Sequence, residues 1–456
     1  MKVLLTHGYF IDEDPKEQLI MKPYPPLGLL YISAFLEENE VEHEVFDTTF
    51  SSVEEWKSKV LSTQPQLIAF YVNLMTKVTV IKLMKWLRNS PELSETQIVL
   101  GGPDVTYNKD RYLAAGADFI ISGEGEETML ELIQTLDSTG DLRKVDGLTF
   151  RLNTELIENS PRARMKDLDE LPLPNRTRFP IRKYLDTWKE FHGKSALNIS
   201  TQRGCPYTCK WCSTAVYGQS YRRRSPEQVV EELKLLKEQY NPDTFWFVDD
   251  VFTVSHKWMR GFAEAMEAAN LSIEYECITR AERMNDEIID ILAKTGCFRV
   301  WIGAESGSQR ILDAMDRRVD VEVVKSQLQA AKRAGIATGT FIMVGYPGET
   351  YSDIRKTAKY LEEAQPSDLT ITKCYPIKGT DLFAEVEDII TEEPEWETST
   401  DRQIDFKRKY PNWYYDLAIR YIYNRMKLSG NSWSLSVFSK VLISGIVLRA
   451  SSLVWR

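Results

Sequence analysis

Three cysteines stand within eight residues of each other, in the segment Gly204-Cys205-Pro206-Tyr207-Thr208-Cys209-Lys210-Trp211-Cys212. Thiolates this close in one short loop can meet at a single inorganic centre, and soft thiolate ligands select iron–sulfur clusters or zinc. A closed structural zinc site needs a fourth ligand, and no cysteine or histidine follows Cys212 closely. The incomplete set therefore favours a catalytic cluster held by Cys205, Cys209 and Cys212, over structural zinc or an accidental grouping.

The cysteine segment directly follows the first strand of a long series of strand and helix signals. Strands are predicted at 197–201, 245–248, 273–279, 299–303, 340–344 and 369–372, and helices at 226–239, 257–269, 286–294, 321–334 and 352–364. Six such units in series predict a partial (β/α)6 TIM-like barrel, whose functional loops lie at the carboxyl ends of the strands. The cysteines would then stand at the functional end of the barrel.

The first 135 or so residues also alternate between strands and helices, which predicts an α/β domain with a doubly wound parallel sheet. Ligands bind such sheets beyond the carboxyl ends of the strands. The predicted strands there end in small or polar loops, namely Thr6-His7-Gly8, Val72-Asn73-Leu74, Gly101-Gly102-Pro103-Asp104 and Ser122-Gly123-Glu124-Gly125-Glu126. The glycines either admit a large planar ligand close to the backbone or simply turn the chain.

Four regions are predicted along the chain: an N-terminal Rossmann-type domain over 1–137, a linker over 138–195, the barrel over 196–382, and a C-terminal helical region over 383–456. The linker contains a predicted hairpin and the run Leu171-Pro172-Leu173-Pro174. The longest apolar stretch, 441–448, is interrupted by Ser444 and Gly445 and is shorter than the roughly 20 residues of a spanning helix. A packed or disordered C-terminal helix is favoured over contact with a membrane surface.

Composition narrows the classes of partner and the compartment. The 456 residues include 57 lysines and arginines against 67 acidic residues, a net charge of −10 that argues against nucleic acid as a partner. The other cysteines, Cys277, Cys297 and Cys374, are scattered on predicted strands and are expected to be buried small hydrophobic residues. This usage is not typical of a disulfide framework, and the N-terminus does not read as a secretory signal. A cytoplasmic location is predicted.

The cysteine motif, with Trp211 just before its third cysteine, resembles that of radical S-adenosylmethionine (SAM) enzymes. The resemblance extends over 196–380, through blocks at the predicted strand ends: Phe247-Val248-Asp249-Asp250, Thr279-Arg280, Gly303-Ala304-Glu305-Ser306-Gly307-Ser308, Gly345-Tyr346-Pro347-Gly348-Glu349-Thr350 and Tyr375-Pro376-Ile377-Lys378-Gly379-Thr380. These blocks are similar to the subgroup that includes the anaerobic magnesium-protoporphyrin monomethyl ester cyclase, whose N-terminal domain is of the cobalamin-binding type.

The resemblance implies that the three cysteines hold a 4Fe-4S cluster whose fourth iron chelates SAM. Reductive cleavage of SAM then gives a 5′-deoxyadenosyl radical. The residues that the resemblance places at SAM are Trp211, Asp249, Arg280, Glu305, Ser306 and Tyr346. Asp249 and Glu305 could accept hydrogen bonds from the ammonium or ribose, and Arg280 could pair with the carboxylate. The alternative is that these rim carboxylates and arginines pair with one another.

A cobalamin-binding domain is implied by Pro25-Pro26-Leu27-Gly28, Gly101-Gly102-Pro103-Asp104 and Gly123-Glu124-Gly125-Glu126-Glu127-Thr128. The residues assigned to cobalamin are Pro26, Leu27, Gly28, Asn73, Gly101, Gly102, Asp104, Gly123, Glu124 and Gly125. The chain departs from the methionine-synthase type because it lacks Asp-x-His-x-x-Gly, and Asp104 stands where many relatives have histidine. Either cobalamin binds without that histidine, or the domain is a degenerate one that binds none.

The implied function is cobalamin-dependent methyl transfer to an unactivated carbon or phosphorus of a small-molecule substrate. Two alternatives stay open: ring closure or another carbon-skeleton change of the anaerobic cyclase type, and a non-catalytic metal-binding scaffold. The partner implied for either enzyme is a low-potential electron donor such as flavodoxin or ferredoxin.

Overall fold

The structure, a computed structural model, describes residues 1–429 and 434–455. The described chain forms two compact units. The first comprises Met1–Pro206, Ser213–Phe245 and Pro394–Asp401, and the second comprises Tyr207–Cys212, Trp246–Glu393 and Arg402–Arg456. The region boundaries predicted after residues 137, 195 and 382 stay predictions.

The first unit contains a seven-stranded sheet with the strand order β2-β1-β3-β4-β5-β6-β7. Its strands are β1 (Val3–His7), β2 (His43–Phe46), β3 (Leu67–Tyr71), β4 (Gln97–Gly101), β5 (Phe119–Ile121), β6 (Leu148–Leu152) and β7 (Glu155–Glu158). The helices that accompany them are α1 (Pro15–Ile20), α2 (Leu27–Glu38), α3 (Val53–Thr63), α4 (Lys77–Arg88), α5 (Lys109–Ala114), α6 (Glu126–Asp137) and α7 (Ile181–His192). The first five strands are parallel. The predicted hairpin of β6 and β7 extends the sheet, with β6 antiparallel to β5 and β7 antiparallel to β6.

The parallel strands are apolar because the crossover helices cover both faces of the sheet. All five residues of β1 are buried, and Leu4, Phe70 and Leu100 from three strands share a core with Trp56 of α3. The start of α3 is fixed by a capping box in which the Ser52 side chain accepts from the backbone of Glu55. These features hold the carboxyl ends of β1, β3, β4 and β5 along one edge of the sheet.

A second sheet contains six strands in the order β15-β14-β13-β12-β11-β8. The remaining strands are β8 (Ala196–Ile199), β9 (Gln202–Arg203), β10 (Arg222–Arg223), β11 (Thr244–Phe247), β12 (Tyr275–Thr279), β13 (Cys297–Glu305), β14 (Ala337–Val344), β15 (Asp368–Lys373), β16 (Ile390–Glu392) and β17 (Asp405–Phe406). The remaining helices are α8 (Pro226–Tyr240), α9 (His256–Ala268), α10 (Asp286–Lys294), α11 (Gln309–Ala314), α12 (Val321–Arg333), α13 (Tyr351–Ala364), α14 (Asp381–Val386), α15 (Asn412–Ser429) and α16 (Leu435–Val454). Because the six strands follow one another in chain order, the predicted partial barrel is confirmed.

The C-terminal region corrects one expectation. The apolar stretch around Ser444 and Gly445 was expected to be too short to span a membrane, but α16 continues through both residues and is 20 residues long. Within the described part of the chain, α16 is the one helix that is long and apolar enough to cross a membrane, judged by length and composition. Ser444 does not interrupt the helix because its hydroxyl donates to the Lys440 carbonyl one turn earlier.

The turn before β13 has room for glycine alone. Gly296 has φ of +94°, and a Cβ there would lie 2.0 Å from the carbonyl oxygen of Ile273. Gly335 also has positive φ, +82°, but a Cβ there would meet nothing within 4 Å. A side chain at Gly335 would therefore cause backbone strain alone, whereas a side chain at Gly296 would cause both strain and a steric collision.

We expect Gly296→Ala to lower the free energy of unfolding by about 3 kcal/mol or more, since it adds a collision to left-handed strain. Gly335→Ala should cost only about 1 to 2 kcal/mol. Urea unfolding followed by circular dichroism measures both variants. Equal losses would show that the collision at residue 296 is relieved by a small backbone shift.

Candidate functional site

The cysteine loop connects β9 to β10, which pair with each other as a short antiparallel ribbon. Gly204 begins the loop at φ +83°, and a Cβ there would lie 2.4 Å from the Ser220 hydroxyl oxygen, so the ribbon closes only over glycine. Cys205 and Cys209 are partly exposed and Cys212 is exposed, and none of these three cysteines forms a disulfide. A turn in which the Cys212 N–H donates to the Cys209 carbonyl, 3.0 Å away, sets the spacing of the last two cysteines.

The donor set of the loop fits an iron–sulfur cluster. Among the described residues, no three His, Cys, Asp or Glu side chains meet as the ligands of one metal ion would. A four-iron cluster does not require that geometry, because each thiolate binds a different iron. Three cysteines without disulfides in one solvent-accessible loop are the ligands that such a cluster uses.

Arg280, directly after β12, lies against the loop. Its Nη1 donates to the Cys209 sulfur at 3.2 Å, and its guanidinium stacks on the Tyr207 ring, 3.9 Å from the centroid. Its Nε donates to Glu282 and its Nη2 to the Arg317 carbonyl. Four contacts thus hold the guanidinium, and one of them is to the Cys209 sulfur. The assignment of Arg280 to the SAM carboxylate stays a prediction.

Glu305 ends β13 in a strained position. Its φ is +62°, which is uncommon for a residue other than glycine, and the register with β14 shifts between Gly303 and Glu305. Such bulges re-aim side chains and are frequent next to active sites. Removal of water by the surrounding protein raises the pKa of the Glu305 carboxyl to about 7, although Arg317 and Arg280 oppose the shift.

The structure brings together Cys209, Arg280 and Glu305 of the residues predicted at SAM and the cluster, and it adds Arg317. Arg317 is buried, and its Nη2 donates to the Gly303 carbonyl at 2.7 Å. The sequence analysis missed Arg317 because it follows α11 in a stretch without a recognisable motif. Only the fold brings Arg317 close to Gly303.

The other residues predicted to contact SAM are Ser306, Tyr346, Asp249 and Trp211. Ser306 is buried and shares a hydrogen bond with Thr357, 3.2 Å between hydroxyl oxygens. The buried Tyr346 donates to the Ala314 carbonyl at 3.2 Å. Asp249 is buried just after β11, and Trp211 is partly exposed in the cysteine loop. Their contacts with SAM stay predictions.

A second buried carboxyl lies in the loop after β14. Glu349 accepts the Gly345 N–H at 2.6 Å with one oxygen, while its other oxygen is buried without a hydrogen-bond partner. Burial raises the pKa of Glu349 to about 8, and the negative charge of Asp353 adds to the shift. The acid is thus held in its protonated form near neutral pH.

In the first unit, the loops assigned to cobalamin lie along the carboxyl edge of the sheet. A Cβ at Gly101 or Gly123 would meet its first neighbour only at 4.0 or 3.9 Å, so the backbone is open to a ligand there. At Gly102, by contrast, φ is +113° and a Cβ would lie 2.4 Å from the Val72 carbonyl oxygen. Gly102 therefore serves the close approach of two loops.

The polar members of this edge are held by neighbours in the same unit. The Asn73 side chain accepts from the backbone of Met75 and Thr76, which lie just before α4. Asp104 accepts the Tyr112 hydroxyl, and burial raises the pKa of Asp104. Glu124 accepts from Arg222 at 2.6 Å. The assigned residues Gly125, Pro26, Leu27 and Gly28 lie at the starts of α6 and α2.

His7, the histidine at this edge, forms a hydrogen bond through each of its two ring nitrogens. His7 is buried, with Nε2 2.9 Å from Asp47 and Nδ1 3.0 Å from the Thr48 hydroxyl. Neither nitrogen is free to bind a cobalt atom. The open glycine backbone fits a large planar cofactor held by its periphery, in agreement with the missing Asp-x-His-x-x-Gly string.

Comparison with known proteins identifies both regions. Residues 199–361 match the model of the Radical SAM superfamily, and residues 20–133 match the B12 binding domain. An uncharacterized methyltransferase of Pyrococcus horikoshii is 28% identical over 79% of this chain and 78% of its own. An anaerobic magnesium-protoporphyrin IX monomethyl ester cyclase of Synechocystis is 31% identical over 65% of this chain and 59% of its own. Among solved structures, the cobalamin-dependent SAM radical enzyme OxsB with aqua-cobalamin shares the fold, with a TM-score of 0.77, 16% identity, and coverage of 98% of this chain and 72% of that one.

Removing one thiol of the loop should remove the cluster. After anaerobic reconstitution with iron and sulfide, Cys209→Ala should lose most visible charge-transfer absorbance and bound iron, because one iron lacks its ligand. Cys297→Ala, a buried cysteine outside the loop, should keep both. Full iron content in Cys209→Ala would place the metal elsewhere.

The buried acid Glu349 should make stability fall as pH rises. The folded pKa of about 8 exceeds the ordinary value of 4.5, so the folded state holds its proton longer than the unfolded state does. Between those two pH values, the free energy of unfolding of Glu349→Gln should increase relative to that of the natural protein by at most about 1.4 kcal/mol per pH unit. Urea unfolding at several pH values measures the difference, with the exposed Glu264→Gln as the control. A difference independent of pH would contradict the shift.

Proposed function

We propose that this chain, a radical SAM enzyme with an N-terminal B12-binding domain, catalyses cobalamin-dependent transfer of a methyl group to a small-molecule substrate. The observation that carries the proposal is the hydrogen bond between Arg280 and the cysteine loop. Arg280 lies at the carboxyl end of a barrel strand and donates to Cys209 of the loop. When bound, the 4Fe-4S cluster supplies the electron that splits SAM, and cobalamin supplies a transferable methyl group. The methyl acceptor is proposed to be an unactivated carbon or a phosphorus.

The cysteine loop would hold the cluster, with Cys205, Cys209 and Cys212 each bound to one iron. Arg280 would act as a positioning residue, since its hydrogen bond to Cys209 both orients the sulfur and stabilises its negative charge. Tyr207, stacked on Arg280, keeps the guanidinium plane in place. A fixed hydrogen bond to a cluster sulfur also tunes the reduction potential.

Glu305 and Arg317 would form the wall that meets the polar end of SAM. The Glu305 pKa of about 7 means that a neighbouring ammonium group readily draws the carboxyl into its charged form. Trp211, Asp249, Ser306 and Tyr346 are proposed as the further SAM contacts. This set would fix the cosubstrate before any reaction, which is the condition for directing a reactive radical.

The carboxyl edge of the first sheet would hold cobalamin. Gly101 and Gly123 would admit the cofactor to the backbone, and the loops at Asn73, Asp104 and Glu124 would border it. The proposed reductant is a low-potential donor such as flavodoxin or ferredoxin. The proposed location is the cytoplasm.

A second candidate function is oxidative ring closure or another carbon-skeleton change. The observation in its favour is the 31% identity with the Synechocystis cyclase. Both functions need the same cluster, SAM and first radical step, and they differ in whether the methyl group of SAM reaches the product.

The test is anaerobic incubation of the reconstituted, cobalamin-loaded enzyme with dithionite, methyl-deuterated SAM and a small-molecule extract. Methyl transfer predicts 5′-deoxyadenosine, S-adenosylhomocysteine and a product that carries the labelled methyl group, all seen by mass spectrometry. Cys209→Ala should give none of them, and Cys297→Ala should give all. Release of 5′-deoxyadenosine without S-adenosylhomocysteine would select the cyclase function, and release of neither would leave a scaffold.

A further inference from the structure

The C-terminal helix α16 is docked on the second unit by one face. Ser444 and Leu448 on this inner face are buried. The Tyr414 hydroxyl donates to the Leu448 carbonyl at 3.2 Å, and the Tyr351 hydroxyl donates to the Gly445 carbonyl at 3.5 Å. The helix therefore has a fixed orientation, and its opposite face is turned to solvent.

The outer face of α16 carries eight exposed apolar residues, with the exposed Ser436, Ser439 and Arg449 between them. Its exposed apolar members are Leu435, Phe438, Leu442, Ile443, Ile446, Val447, Leu453 and Val454, with exposures between 36% and 78%. At 100° per residue, Leu435, Leu442, Ile446 and Leu453 fall within about 40° of one line along the helix. A continuous apolar stripe of this kind on a protein surface marks an interaction site.

The two charged residues of α16, Lys440 and Arg449, are both cations and both exposed. At 100° per residue, Arg449 lies about 40° to one side of the line through Leu435 and Leu453, and Lys440 lies about 140° to the other side. No acidic residue follows Asp416, whereas six lysines and arginines do, in a chain whose net charge is −10. An apolar face on a helix whose charges are all cations complements lipid tails beneath anionic headgroups, since long basic side chains reach the phosphates while the face is immersed. Trp455, at the end of the helix and 49% exposed, is a residue type enriched at that boundary.

We propose that the outer face of α16 binds the surface of an anionic lipid bilayer, with the helix lying in the plane of the headgroups. A spanning orientation does not suit the two cations. Lys440 and Arg449 are nine residues apart, a rise of about 13 Å, whereas the hydrocarbon core is about 30 Å thick. Spanning would also break the hydrogen bonds that dock the inner face on Tyr351 and Tyr414.

The test is flotation of the full-length holoprotein with vesicles of phosphatidylcholine alone or of equimolar phosphatidylcholine and phosphatidylglycerol. The protein should float with the anionic vesicles. Leu442→Ser with Ile446→Ser should lower partitioning about tenfold or more. Lys440→Gln with Arg449→Gln should lower it roughly thirtyfold on anionic vesicles and leave the weak binding to neutral vesicles unchanged.

Matched controls carry similar substitutions, of apolar residues to serine and of cationic residues to glutamine, at exposed sites elsewhere. Leu19→Ser with Val323→Ser, and Lys294→Gln with Lys359→Gln, should bind as the natural protein does. Circular dichroism and 5′-deoxyadenosine formation should be unchanged in every variant, which separates this inference from the proposed function.

Three results would overturn the inference. The first is a natural protein that floats with neither kind of vesicle. The second is a dimer, seen by light scattering, that Leu442→Ser with Ile446→Ser dissociates while vesicle binding is absent, which would assign the stripe to a second copy. The third is retention in membranes after an alkaline carbonate wash, which would show a spanning helix.

Discussion

The cysteine loop lies against two buried guanidinium groups, and the rest of the site depends on that contact. Arg280 donates directly to Cys209, and the equally buried Arg317 lies one step behind it, with its backbone carbonyl accepting from Arg280. Buried cations are costly unless they are paired. Glu282 supplies that pairing for both arginines, so the loop, the arginines and Glu282 form one electrostatic assembly.

The same assembly explains why an acid can stand at Glu305. Burial raises the pKa of the Glu305 carboxyl to about 7, and the positive charges of Arg317 and Arg280 oppose this shift. The bulge between Gly303 and Glu305 moves the Glu305 side chain, at the end of β13, to a position that a regular strand would not reach. A cationic ligand would convert the acid to its charged form and gain a strong contact.

The sequence was sufficient for the alternation of strands and helices in both sheets and for the cysteine loop, because alternation and spacing are local signals. It was insufficient for Arg317 and Glu349, whose roles arise from neighbours that only the fold supplies. It placed Arg280 in the site without its bond to Cys209, since an arginine alone does not disclose its partner. It underrated α16 because Ser444 and Gly445 were counted as interruptions, although small residues are what a closely docked helix needs.

The first sheet faces a different constraint, because its edge has few side chains to offer. The two ring nitrogens of His7 form hydrogen bonds with Asp47 and Thr48, and the Asn73 side chain accepts a hydrogen bond within the turn before α4. What remains is backbone, made accessible at Gly101 and Gly123. A cofactor on this edge would therefore be recognised mainly by its shape and by peptide groups of the loops at Gly101 and Gly123.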